Sequence, residues 1–383
     1  MMRKRYFALS LLLVISMLFL SRGSGRAGDE DRVANFGLQA VITLPGNEQI
    51  SKFDIGWVDQ PSQTYYLADR TNAQIDVVDA RTDTFVQGLA HGQFVGFTGN
   101  NDTSGPNGIL VIHSRAELWV GDGPSNDLVC GTSTPCSTVK VIDLSADPPD
   151  IVAAISTGGK ARADEMAFDP TDHILVVAND ADTPPYLTFI STNTRRVLGK
   201  LAFPDANNGI EQSIWVPATR RFLVNIPNTG GHSYIAEIDP ADRQVTRRFD
   251  VGECQGAGLA LGPQERVIVG CQTQESLVVD ARTGAIVAST TAVGGSDQVW
   301  FNRGDGTYYL AARNNATGPV LGFIAADTNE VLGSVRTGNV GAHSVAANRA
   351  NNHVFVPLPP GSNTGTFACP NGCIGVYFGD DGD

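Results

Sequence analysis

Val78 to Thr82 read VDART, and Val279 to Thr283 read VDART again, each time between two apolar, β-branched runs. A chain that writes one turn twice in that setting is built from repeats, which restrict the fold more than any bulk property does. The two copies belong to a longer series: VIDLSADPPDIVAAISTG at 141–158, FISTNTRRVLGKLAFPD at 189–205, EIDPADRQVTRRFDVG at 237–252 and FIAADTNEVLGSVRTG at 323–338. Each joins two β-rich segments through a polar turn of Asp, Ser, Thr, Asn or Pro, the sequence form of a β-hairpin.

A further pair of strands precedes each hairpin. Its second member reads YYLAD (65–69), LWVGD (118–122), ILVVAND (174–180), RFLVNIP (221–227), RVIVGCQ (266–272), YYLAARN (308–314) and HVFVPLP (353–359). Seven units of four short strands, spaced by about 40 to 57 residues, predict an all-β, seven-bladed β-propeller, a ring of four-stranded sheets round a channel. The seventh unit stops after its third strand, CIGVYFGD (373–380), whereas LQAVITLPG (38–46) has the form of a fourth strand with no third strand before it. The N-terminal strand is therefore predicted to complete the last blade and close the ring, covering edges that would otherwise invite aggregation. On this reading VDART is the turn between the third and fourth strands of two blades.

Composition agrees with one propeller domain over 28–383: Gly (42) and Pro (20) are plentiful and charged residues make up only 17%. Ahead of it, Arg3, Lys4 and Arg5 precede an apolar run from Phe7 to Leu20, which reads as a secretory signal peptide over 1–27. That run is shorter than the roughly 20 residues a membrane-spanning helix needs, so no transmembrane segment is expected in the mature chain. Export to a periplasmic or extracellular location makes disulfides the default for six cysteines: Cys130 with Cys136, Cys369 with Cys373, and Cys254 with Cys271 as the remaining pair. A net charge of −13 argues against a nucleic-acid partner, which needs a basic surface.

VVAND, YYLAD, VVDARTGAIVAS and VVDARTDTFVQG together show a strand ending in Ala-Asn or Ala-Asp, then an apolar strand, an Asp-containing turn and a Val-rich strand. This pattern resembles the YVTN-repeat, YncE-like seven-bladed propellers over nearly all of the mature chain. The resemblance implies the fold, export and a binding role, and carries no catalytic residues.

In a propeller the first strand of each blade lines the channel. Aligning the units through their second strands places Asp54, Asn107, Asp164, Glu211, Ala257, Asp297 and His343 at one entry level, with Ile55, Gly108, Glu165, Gln212, Gly258, Gln298 and Ser344 at the next. Two unit charges about 6 Å apart repel by roughly 3 kcal/mol at an effective dielectric of 20, so four carboxylates at one opening must hold protons or recruit a cation. Asp54, Asn107, Asp164, Glu211, Asp297 and His343 are the candidate ligands of one divalent cation, calcium, magnesium, manganese or zinc. His91, His113, His173, His232 and His353 fall at unrelated repeat positions, and Trp57, Trp215 and Trp300 read as packing residues.

Two functions follow. The first is a monomeric binding module whose acidic mouth holds a cation, a small molecule or an envelope protein. The second is a metal-dependent hydrolase, similar to gluconolactonase-type propellers in site location only, with Glu165 or His343 as general base. A copper oxidoreductase on the same fold needs several histidines at the mouth, and only His343 is there.

Overall fold

The computed structural model describes residues 35–131, 134–338, 341–364 and 367–379. The leader expected over 1–27 lies outside the described residues.

Seven four-stranded antiparallel sheets stand in a ring. Blades 1 to 6 span 53–89, 109–156, 166–202, 213–252, 256–290 and 299–336, each running in sequence order from its inner to its outer strand. Blade 7 takes Ala346–Ala347, Val354–Leu358 and Cys373–Phe378, and its outer strand is Gly37–Ile42. Gly37 pairs with Phe378 and Ile42 with Ile374, so the first strand of the chain seals the ring as the sequence predicts.

The repeated turn has a repeated physical cause. Asp79 Oδ1 accepts a hydrogen bond from Arg81 N at 2.9 Å, and Asp280 Oδ1 accepts from Arg282 N at 2.9 Å and Thr283 N at 2.8 Å. Asp143 and Asp239 hold Ser145 N and Ala241 N in the same way, both at 2.8 Å. A carboxylate that caps the backbone two residues on fixes the start of the turn. The turn ends on a left-handed residue: Asp83 (φ 55°), Arg195 (52°), Arg243 (54°), Asn329 (62°) and, in the second VDART copy, Gly284 (77°). A β-bulge sits beside it in blades 1 to 6, at Val77/Val78 and Val278/Val279 for instance, and adds the twist a blade needs.

The core lies between blades. Leu187, Phe189 and Phe203 from blade 3 pack on Phe222, Tyr234 and Ala236 of blade 4, all buried. Each such large side chain contributes about 1.5–3 kcal/mol by leaving water. The three expected disulfides form: Cys254–Cys271 deep in the blade 4–5 core, Cys369–Cys373 buried at the start of blade 7's third strand, and Cys130–Cys136 across a surface loop. One element has no counterpart in the sequence reading: a small hairpin, Ser362–Thr364 with Phe367–Cys369, stands between the second and third strands of blade 7, tied down by Cys369–Cys373. Among the described residues no helix is long and apolar enough to cross a membrane.

Candidate functional site

The stretch that leads into each inner strand is held by the second strand of its own blade, in one register. Asp164 N donates to Ala178 O at 2.8 Å, Glu211 N to Asn225 O at 3.0 Å, Asp297 N to Ala311 O at 3.1 Å and Asn107 N to Gly121 O at 2.8 Å. Four residues assigned to one level by sequence alignment thus make the same backbone contact in four blades. Gly108, one residue on, faces the neighbouring blade so closely that a Cβ there would stand 2.2 Å from Asp164 O.

At this end of the ring a cavity of about 810 Å³ opens. Asp54, Asp164, Glu211, Asp297 and His343 line it, as does Glu165 from the next level. Asn107 does not: its Oδ1 accepts from Arg70 Nε at 3.0 Å and Nη2 at 2.6 Å, and its Nδ2 donates to Ser104 O at 3.0 Å and Ala163 O at 2.9 Å. Every polar atom of that side chain is occupied behind the wall. Ala257 brings only a methyl group.

A second tier lines the same cavity, and the sequence reading missed it. At one repeat position, just after the second strand in every blade but the second, stand Arg70, Gly123, Asp180, Pro227, Gln272, Arg313 and Pro359 in blades 1 to 7, and all but Gly123 and Pro227 reach the cavity. The signal was a fixed offset after YYLAD and YYLAA, legible once cations as well as anions are sought. Tier pairs with tier. Arg70 bonds Asp54, Arg313 Nη2 stands 2.9 Å from Asp297 Oδ2, and Gln272 Nε2 donates to Glu211 Oε1 at 3.1 Å. Arg162, two residues before Asp164, bridges Asp164 Oδ2 at 2.6 Å and Asp180 Oδ2 at 2.8 Å.

These contacts divide the carboxyl groups. Burial alone would raise Asp54, but the Arg70 guanidinium, with His343 and Arg162, holds it well below the usual carboxylate range. Burial pushes Asp164 up against the pull of Arg162, and pushes Asp180 to about 7 despite the same guanidinium. Glu165 and Glu211 have no guanidinium partner among the described residues. Burial, then the charges of Asp164, Glu211 and Asp297, raise Glu165 well above its ordinary value; burial, then Asp297, Asp180 and Asp164, do the same to Glu211. Glu165 is 7% exposed and its Oε2 has no hydrogen-bond partner.

His343 stacks on Phe53, ring centroids 5.0 Å apart, with Nε2 3.5 Å from Asp54 Oδ1. It lies on blade 7 and Glu165 on blade 3, with no hydrogen bond or ion pair between them among the described residues. The level below is closed rather than open. Gln298 Nε2 donates to Gly56 O at 2.9 Å, Ser344 Oγ donates to Gln298 Oε1 at 2.6 Å, and Gly56 N donates to Ser344 Oγ at 2.7 Å, which ties blades 6, 7 and 1 together. Beneath it Trp57 and Trp300 meet edge to face at 5.4 Å. The outlying histidines are dispersed as expected, His113 on Asp59 and His353 on Asp83, for example.

The donor set does not fit a bare divalent cation. Asp54, Asp164 and Asp297 each hold a guanidinium group, and among the described residues no three His, Cys, Asp or Glu side chains stand together as ion ligands. The arginines neutralise the crowding that a metal was expected to relieve.

No family model matches the chain, and no curated protein is similar to it. Among solved structures 1635 chains match, so the architecture is too widely shared to single out an activity. One, a chain in the crystal structure of a mitotic checkpoint complex, superposes with a TM-score of 0.65 at 12% identity, covering 98% of this chain and 99% of that one. At that identity the likeness extends to the propeller fold alone.

Proposed function

We propose that the protein is an exported binding module of the YVTN-repeat, YncE-like kind, holding a small polar or cationic ligand in the two-tier cavity. One observation carries this reading: Glu165, more than nine-tenths buried, lines a cavity of about 810 Å³ with an oxygen that has no partner. A buried acceptor left unpaired costs about 1–3 kcal/mol, and a ligand that donates to it recovers that cost. The cavity is of the size that small-molecule sites occupy. Export is supported by the pairing of all six cysteines. The test is a calorimetric and thermal-shift screen of small polar compounds against the native protein and Glu165→Gln. A ligand raises the melting temperature of the first and not of the second; a screen with no such compound ends the reading.

One observation favours a hydrolytic alternative. Burial and the neighbouring carboxylates raise Glu165 and so favour its protonated form, which can donate a proton as a general acid. Turnover of lactones or esters that is lost in Glu165→Gln supports that alternative, and its absence across the series leaves the binding module.

A further inference from the structure

The cavity has two sides of different character. Asp54, Asp164 and Asp297 are matched by Arg70, Arg162 and Arg313, while Glu165 and Glu211, from blades 3 and 4, are matched by no cation among the described residues. We propose that the cavity takes an organic amine in its ammonium form, seated between Glu165 and Glu211, with the body of the ligand running outward over blades 3 and 4. This rests on the binding reading above and specifies its ligand class.

Three observations lead there. First, Asp54, Asp164 and Asp297, which a bare dication would need beside Glu165 and Glu211 to complete its shell, already hold guanidinium groups. An ammonium carries one charge and three donors, and asks only for acceptors, which Glu165 Oε2 and the Glu211 carboxylate supply. Second, about 810 Å³ is far more than an ion fills, so the occupant has a body. Third, the cavity adjoins a second recess of about 600 Å³: Asp180, Ala181 and Gly209 line both, and the recess is lined further by Pro184, Pro185 and Pro204. The proline faces provide apolar contact for a carbon chain or ring beyond the charged end.

The groups facing the two glutamates set the linkage. Asp54, Asp164, Asp180 and Asp297 add negative field and Arg162 opposes it. With no ligand the glutamates hold protons above the ordinary carboxylate range. An incoming ammonium favours their ionised forms, so binding releases protons. Affinity therefore rises with pH through that range, until the amine loses its own proton near about 10.

Calorimetry of the full-length exported protein tests this with phenethylamine and 1,5-diaminopentane, calcium, manganese and zinc chlorides, and sorbitol, in two buffers of different ionisation enthalpy. The expected result is one amine per chain, proton release on binding, and affinity lowered at least tenfold in both Glu165→Gln and Glu211→Gln. The melting temperatures of these variants should not fall, because an amide is neutral without the cost of holding a proton that the unfolded chain would release. Glu330→Gln, in an exposed turn, should bind as the native protein does. Stoichiometric metal or sorbitol binding that depends on the same two glutamates, without amine binding, overturns the amine assignment and leaves the binding reading standing. No binding by any of the three classes overturns both.

Discussion

Arg313 Nη2 lies 2.9 Å from Asp297 Oδ2 in blade 6, and Arg70 with Asp54 repeats that pair at the same repeat positions in blade 1. The two copies differ in burial: the Arg70 side chain is 5% exposed and that of Arg313 39%. Arg70 also donates to Asn107, Asn101 and the Pro106 carbonyl. Removing it strands a carboxylate away from water, which costs about 3–5 kcal/mol, whereas the wetter pair is worth about 1 kcal/mol or less. Urea unfolding should therefore show Arg70→Ala far less stable than Arg313→Ala; equal losses would show that burial does not separate the two.

Blade 1 carries an acid pair where blades 2 and 3 carry matched groups. Asp76 and Asp69 are diagonal neighbours on the third and second strands, both buried; the same positions hold Lys140 with Asp122, at 2.9 Å, in blade 2, and Thr188 with Asn179, also at 2.9 Å, in blade 3. Burial raises Asp69 to about 6, and burial with the charge of Asp69 raises Asp76 well above its ordinary value, with Glu48 adding to it and Gln74 opposing. The native state thus keeps protons that the unfolded chain releases near about 4, so stability falls as pH rises from there, through the folded Asp69 value of about 6 and on until Asp76 ionises. Asp76→Asn keeps the acceptor for Gln74 Nε2 and adds a donor toward Asp69. Its melting temperature should exceed the native value by a few degrees at pH 8, roughly 1–3 kcal/mol, and match it near pH 4.

Gly284→Ala should lower stability by about 1–3 kcal/mol in thermal unfolding, since the new Cβ adds both left-handed strain and a clash. The residue sits at φ 77° and a Cβ would stand 2.3 Å from Phe249 Cδ1. Asn329→Gly, at the equivalent turn of blade 6, should change little, because neither residue is strained there.

Replacing Cys254 and Cys271 together by Ala should cost about 3 kcal/mol, the chain-entropy value for a loop of this length, while the shorter Cys130–Cys136 link should cost about 2 kcal/mol or less. The first pair lies in the buried core of blades 4 and 5, whereas beside the second Leu128 is 95% exposed. Melting temperatures of the two double variants check the order.

The ring was legible because the hairpins reuse a short-range device: a capping carboxylate such as Asp79 or Asp280 in blades 1, 2, 4 and 5, and a left-handed residue five after the last strand apolar in blades 1 and 3 to 6. The closing strand was legible because a fourth strand stood without a third. The Ser362–Thr364 hairpin was not, being too short for any periodicity. At the cavity, Asp54, Asp164, Glu211, Asp297 and His343 share a level that counting recovers. The neutralisation of Asp54, Asp164 and Asp297 depends on Arg70, Arg162 and Arg313, whose reach across the tier comes from long side chains and not from strand spacing. Asn107 shows the converse: its level follows from the repeat, but its amide turns away to hold Arg70.

The pairing of Gly37–Ile42 with Cys373–Phe378 joins strands more than 330 residues apart in sequence. Such long-range pairing is entropically slow, and until it forms one blade presents a bare flank. Completion of the circle thus exchanges the entropy of a very long loop for the removal of an open sheet edge.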